Sequence, residues 1–150
     1  MTERTIRAME LRDIPRILEI ERVSFLTPWT EGMFRSQLRF KDRSINLVAV
    51  ESEAIAGYAA AWIAYDEIHL LSIAVDPAMR RGGIGSEILR AVIASGGAQG
   101  GRSVILEVRE GNTAARSFYR KHGFLEIGRR GRYYSDTGED AILMEHLFVE

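Results

Sequence analysis

The chain of 150 residues contains no cysteine. Disulfides, thiol nucleophiles and cysteine–metal centres are therefore excluded. Lysine is nearly absent: Lys41 and Lys121 are the only two, and arginine carries the remaining basic charge, which reads first as genome bias. The formal net charge is only -1, so no overall imbalance points to nucleic acid or to an anionic membrane. No apolar run reaches transmembrane length. The start, MTERTIRAMELRD, is too polar for a signal peptide. His69, His122 and His146 are scattered and show no metal-ligand spacing, so no metal is expected. No serine sits in a nucleophile-elbow motif, which leaves covalent hydrolysis unsupported. With 46% hydrophobic and 27% charged residues, the composition fits a cytoplasmic enzyme or binding protein, one domain over residues 1–150.

The most informative stretch is Ile68 to Gly96, IHLLSIAVDPAMRRGGIGSEILRAVIASG. Ile68 to Val75 is an apolar, β-branched run of strand length, and Asp76-Pro77 ends it. From Ile84, the residues Ile88, Leu89, Val92 and Ile93 recur at helical spacing. Between strand and helix lies Arg80-Arg81-Gly82-Gly83-Ile84-Gly85-Ser86. Glycines let backbone N–H groups approach a ligand, and the first turn of a helix leaves such groups unpaired and favours anions. Arg80 and Arg81 add charge that suits phosphate oxygens. A diphosphate-bearing ligand fits; a solvated turn with two surface arginines is the alternative. The lysine and hydroxyl pair of a P-loop is missing, and the dinucleotide fingerprint matches poorly in spacing and position.

Around this unit the pattern predicts a strand over Thr5 to Ala8. A helix follows, with Asp13 as its cap and Pro15 in its first turn. The FLTPW segment, Phe25 to Trp29, interrupts it. A second helix capped by Thr30 runs to about Leu38. Strands follow at Ile45 to Glu51 and Ile55 to Ala64, joined by a Ser52-Glu53 turn, and with the Ile68 strand they read as an antiparallel meander. Gly57 marks a close approach or a bulge. Glycines 96, 97, 100 and 101 surround a short polar connection. Ser103 to Val108 is a strand parallel to the Ile68 strand, because a crossover helix links them. Asn112 caps another helix, which carries Ala115, Phe118, Tyr119 and His122 on one face and stops at Gly123. A strand from Phe124 is expected to reach about Tyr134, and Ala141 to Leu147 is the last.

Glu107 is anomalous in the otherwise apolar strand SVILEV. A carboxylate there is either a general base at the end of a parallel strand or the partner of a nearby arginine. Tyr119 is either a proton donor or a packing residue. Phe25 and Trp29 either tie helices to the sheet or line a groove. The arginine and tyrosine cluster Arg129 to Tyr134 could stack on RNA bases, a weak indication at this net charge.

The combination Ile73-Ala74-Val75-Asp76-Pro77, Arg80-x-x-Gly83-x-Gly85, Glu107-Val108 and Asn112 to Phe124 (NTAARSFYRKHGF) resembles the GNAT family of N-acetyltransferases. The resemblance implies a mixed α/β fold, with a seven-stranded sheet splayed between strands 4 and 5 and about four flanking helices. Within the family, FLTPW-Thr30-Glu31 and the tail from Arg129 through Tyr133-Tyr134 to Met144 are most similar to the bacterial ribosomal-protein S18-alanine acetyltransferase group. Met9-Glu10, where relatives often carry a hydroxyl cap, is a departure. The resemblance implies acetyl-CoA as acetyl donor, held by Ile73, Ala74 and Val75, by Arg80 to Ser86, and by Asn112, Ala115 and Tyr119. It implies Glu107 as base, Tyr119 as acid, and a backbone N–H at the end of the Ile68 to Val75 strand for the oxyanion. It places the acceptor, the N-terminus of S18 or a similar peptide, beside Phe25, Trp29, Tyr133 and Tyr134. A monomer working without metal, nucleic acid or membrane is expected. A small-molecule amine acetyltransferase would share this chemistry, and a non-catalytic acetyl-CoA-binding module would need neither Glu107 nor Tyr119.

Overall fold

The computed structural model describes residues 3–80 and 82–148. Seven strands form one sheet: β1 (Arg4–Ala8), β2 (Ser44–Glu51), β3 (Ala54–Ala64), β4 (Glu67–Val75), β5 (Ser103–Arg109), β6 (Leu125–Arg130) and β7 (Ala141–Leu147). Four α-helices flank it: α1 (Ile14–Ser24), α2 (Glu31–Arg39), α3 (Ile84–Ala98) and α4 (Thr113–Lys121). The strand order is β1-β2-β3-β4-β5-β7-β6. Only β4 and β5 run parallel, as expected for the two strands joined through α3. Ser52 and Glu53 both have positive φ, which matches the twist of a tight two-residue hairpin.

Alternation along the strands feeds a core on each face of the sheet. Ala59 and Ala61 of β3 pack with Ile84, Ile88, Leu89 and Val92 of α3, and the same cluster takes in Val104, Leu106 and Val108 of β5 and Tyr119 of α4. Tyr58 and Ala60 point the other way, toward Ile14, Ile17, Leu18 and Ile20 of α1 and Phe34 and Leu38 of α2.

The feature that shapes everything else is the parting of β4 from β5. They pair only at Glu67–Ser103, Ile68–Val104 and His69–Ile105. Immediately afterwards the register between β3 and β4 shifts: Ala61 faces Leu70 and Ala60 faces Ser72, so Leu71 is an extra residue. Such a bulge bends the strand that carries it. Past it, β4 stays paired with β3 as far as Val75, while β5 stays paired with β7 as far as Arg109. Each strand is satisfied on its far side, and the facing edges open into a wedge.

Several local expectations are corrected. Asp13 precedes α1 but its side chain makes no cap. Its carboxylate instead accepts two bonds from Arg7, at 2.8 and 2.9 Å, and one from the Glu10 N–H at 2.8 Å. The Arg7 guanidinium holds the Asp13 carboxyl below its usual range. Gly96 and Gly97 belong to α3 rather than to a connection; a Cβ on Gly96 would sit 2.7 Å from the Ile68 side chain. β6 ends at Arg130, because Arg132 turns the chain at φ 51°, so Tyr133 and Tyr134 are not strand residues. Thr30 and Asn112 do cap α2 and α4, accepting from the N–H groups of Met33 and Ala115, and Gly123 leaves α4 at φ 85°.

Gly57 combines both roles foreseen for it. It stands beside a register shift between β2 and β3, and a Cβ there would lie 2.8 Å from the Ala74 carbonyl oxygen and 2.9 Å from Ile88 Cδ1. Backbone cannot yield cheaply. Gly57→Ala should destabilise the protein by about 1–3 kcal/mol, the usual cost of forcing extra volume into a packed core. Urea denaturation measures this; an unchanged midpoint would mean that β4 and α3 can move away from β3 without loss.

Candidate active site

The wedge between β4 and β5 is a cleft of about 600 Å³. One wall is β4 from Leu70 to Val75 with the turn that follows it; the other is β5 from Leu106 to Arg109 with α4. The β4 wall offers an unpaired strand edge, since its β5 partners stop at Ile105. Free main-chain donors and acceptors of this kind suit an extended ligand that carries amides.

At the end of β4, Asp76 caps a short 3-10 turn at Pro77–Met79, and the chain enters α3 through Gly83. Gly83 has φ 75° and no side chain caps the N–H groups of the first turn. Nothing lies within 4 Å of where its Cβ would be. These uncapped donors carry the positive end of the helix dipole, and Arg80 lines the same end of the cleft. The arrangement fits a diphosphate. Gly83, Ile84, Gly85 and Ser86 all face the cleft, as do Ile73, Ala74, Val75, Asn112 and Ala115. Gly82 does not line it; its carbonyl accepts from Arg4 at 3.0 Å. Arg81 lies outside the described residues.

Glu107 and Tyr119 reach the same cleft from different elements. Val104, Leu106 and Val108 are buried in the core, so strand alternation turns Glu107 to the cleft side. Its side chain is 29% exposed, and Arg130 Nη2 lies 3.7 Å from Oε1. Arg130 is itself 55% exposed, and pairs of this kind contribute only about 0–1 kcal/mol. An ion pair that weak does not account for a carboxylate in this strand. Tyr119 is 9% exposed and its ring packs against Phe118 and Phe124, with centroids at 5.4 and 5.5 Å. Burial first, and Tyr134 second, push its phenol well above the ordinary tyrosine range. It holds its proton at any pH an enzyme ordinarily meets.

The other end of the cleft is bounded by the 25–29 segment and the loop between β6 and β7. Phe25, Trp29 and Tyr134 line it. Tyr133 does not; its ring stands edge-on to Tyr134 at 5.1 Å. Hydrogen bonding to the Glu107 carboxylate, then burial, raises the Tyr133 phenol. Asp136 clasps the two loops together. Thr27 Oγ1 donates to it at 2.6 Å, and Arg109 donates to both its oxygens at 2.8 and 2.7 Å. Arg109 also lies over the Tyr134 ring, 4.1 Å from the centroid. Hydrogen bonds from Arg109 and then Thr27 hold the Asp136 carboxyl well below its usual range.

Sequence reasoning did not single out Glu21, Ser72, Thr27, Arg109 or Phe118, all of which line the cleft. Glu21 was legible only as one charge among the several of α1. Its burial depends on Tyr58 and Ser72, which arrive from strands 37 and 51 residues later.

A profile of the Acetyltransferase (GNAT) family matches residues 14–124. The chain is 35% identical over 142 residues to the ribosomal protein bS18-alanine N-acetyltransferase of Escherichia coli K12, covering 93% of this chain and 95% of that one. The crystal structure of the Escherichia coli ribosomal-protein-S18-alanine N-acetyltransferase superposes with a TM-score of 0.89 at 33% identity, over 99% of this chain and 96% of that one. Ard1 from Thermoplasma volcanium gives 0.90 at 29% identity, over 98% and 99%. The splayed sheet, the uncapped glycine turn that follows β4 and these likenesses agree: the chain belongs to the GNAT family and is an acetyl-CoA-dependent acetyltransferase.

Proposed function

We propose that the protein acetylates the N-terminal α-amine of a protein, with the N-terminal alanine of ribosomal protein S18 as its substrate. The likeness to S18-alanine acetyltransferases over nearly the full chain supports this substrate. The observation that carries the chemistry is the meeting of Glu107 and Tyr119 in one cleft. One is a partly exposed carboxylate, the other a buried phenol.

Arg80 and the turn through Ser86 would hold the diphosphate of acetyl-CoA, and the free edge at Ile73 to Val75 would take its amide-bearing arm. Asn112 and Ala115 flank it from α4. When bound, acetyl-CoA supplies an acetyl thioester within the cleft. An α-amine is mostly protonated near neutral pH. Glu107, open enough to work through a water, takes that proton at its carboxylate. A backbone N–H at the end of β4 would be the donor available to the thioester carbonyl oxygen. Tyr119 keeps a proton at Oη for the departing sulfur. Phe25, Trp29 and Tyr134 would border the acceptor.

The direct test is incubation of an S18 N-terminal peptide with enzyme and acetyl-CoA, read by mass spectrometry. One acetyl group on the α-amine is expected. An unmodified peptide beside an acetylated small amine would transfer the enzyme to small-molecule substrates.

Three substitutions separate the roles. Glu107→Gln should lower kcat by roughly 10²–10⁴, the usual scale of general-base help, with acetyl-CoA affinity nearly unchanged. Much of the loss should return at high pH, where free amine is abundant. Wild-type kcat/KM at pH 7 in this variant would remove Glu107 from the base role. Tyr119→Phe keeps the packed ring but not the proton, so turnover should fall while acetyl-CoA still binds. Because the phenol is pushed upward, wild-type kcat should show no decline from its ionisation below about pH 10, the ordinary tyrosine value. Gly83→Val has space for its side chain but not for its backbone at φ 75°, so the turn should distort and acetyl-CoA affinity should fall at least tenfold, about 1.4 kcal/mol. Calorimetry showing unchanged binding in a folded Gly83→Val protein would sink the assignment of that turn.

A further inference from the structure

Glu21 is the most deeply buried acidic side chain of the cleft wall, at 2% exposure. Three groups hold it, and all are neutral donors. The Tyr58 hydroxyl and Ser72 Oγ, the latter at 3.0 Å, donate to Oε1. The Trp29 N–H donates to Oε2 at 2.9 Å. One carboxylate thus ties together α1, β3, β4 and the segment that leads from α1 to α2. A buried carboxylate held only by neutral donors is an expensive way to join them; an apolar side chain of similar size would pack at lower cost. Stability alone does not account for it.

Its geometry does. Trp29 follows Pro28, in a stretch outside any helix or strand, and its main-chain N–H has no place in a ladder. Glu21 Oε2 gives that N–H an acceptor inside the wall. The indole is fixed at the same time, packed on Phe34 with centroids 5.0 Å apart. Phe34 in turn meets Tyr58 edge-on at 5.8 Å, and Tyr58 returns to Glu21. The loop is closed: carboxylate, main chain, indole, Phe34, Tyr58, carboxylate. Glu21, Trp29 and Ser72 all face the cleft. The far side of the same loop is held by Thr27 through Asp136. Of the two carboxylates that hold this loop, Glu21 is inside the protein and Asp136 is at its surface.

We propose that Glu21 is a positioning residue for the acceptor: through the Trp29 N–H it fixes the wall of the groove against which the substrate peptide lies. The inference rests on the reading of this end of the cleft as the acceptor side. Glu21 does not touch the diphosphate turn; its partners are Tyr58, Ser72 and the Trp29 N–H. Its loss therefore falls on peptide binding rather than on the acetyl donor.

The test is steady-state kinetics of full-length enzyme with an S18 N-terminal peptide, beside calorimetry with acetyl-CoA. Glu21→Met keeps length and bulk but offers the Trp29 N–H no acceptor. Peptide KM should rise at least tenfold, the scale of losing a bond to a buried charged group. The fall in kcat should be smaller, and the acetyl-CoA Kd should stay within twofold. Glu21→Gln keeps one acceptor oxygen and should restore KM to within about threefold of wild type. Glu21→Asp retains charge but withdraws the carboxylate by one methylene; it should behave like Glu21→Met, and it serves if the methionine variant does not fold. A peptide KM within twofold of wild type in a folded Met or Asp variant overturns the proposal. So does a Gln variant as poor as Met, since the charge rather than the anchor would then be what the groove needs. A loss of acetyl-CoA affinity equal to the loss for peptide would reduce Glu21 to general stability. If wild-type enzyme leaves the peptide unmodified, the acceptor reading fails first and the inference falls with it.

Discussion

The structure depends on one broken ladder. Parallel strands β4 and β5 keep three residue pairs and then part. In an isolated sheet that would strand main-chain groups on both edges at a cost comparable to lost hydrogen bonds. Here each strand keeps its other neighbour throughout, β3 for β4 and β7 for β5. Only the facing edges are open, and they open to a cleft where a ligand or water can meet them. The extra residue Leu71 sits at the branching point and bends β4 away. Its side chain is exposed into that space. A bulge normally weakens a sheet locally; here the same local weakness opens the cleft.

The helices follow from this opening. α3 starts where β4 has been bent outward, so its uncapped N-terminus points into the cleft rather than to bulk solvent. α4 starts where β5 ends, and its Asn112 satisfies its own first turn by capping it. The two N-termini are thus treated differently by the sequence. The capped one spends its donors internally. The uncapped one leaves them open to the cleft, with Arg80 beside them. Glycine at 83 serves the second purpose, because at φ 75° a side chain would strain the backbone that presents those donors.

Much of this was legible in the sequence because it is encoded locally. The meander, the crossover and the caps at Thr30 and Asn112 follow from periodicity and turn chemistry within a few residues. Glu107 stood out because its neighbours in the chain are all apolar. The parts that were not legible depend on partners remote in sequence. Nothing in HLLSIA announces that Leu71 is extra, since that is a property of its pairing with β3. The run from Phe124 to Tyr134 reads as one strand, and the turn at Arg132 cuts it short. Glu21 looks like one more charge on an amphipathic helix until Tyr58 and Ser72 are brought beside it. Arg109 reads as the charged end of a strand; its role in the clasp appears only when Asp136 arrives from the loop before β7.

Glu107, Tyr119 and Glu21 occupy three degrees of enclosure in the cleft wall, and these suit what each does in the proposed reaction. A base that acts once per turnover must pass its proton on to solvent, and Glu107 is exposed enough to do so. An acid must keep its proton until the leaving group asks for it. Tyr119 is buried, and burial penalises the phenolate most. A thiolate leaving beside Tyr119 would develop in the same low-dielectric surroundings, where its own affinity for a proton would also be raised. Burial of the tyrosine therefore does not forbid the transfer; it raises the proton affinity of donor and acceptor together. Glu21 is the most enclosed of the three and has only fixed neutral donors around it. A group so placed is well suited to holding a wall still. Position along the path from solvent to core thus separates the proposed base, acid and anchor, using residue types that the sequence alone could not rank.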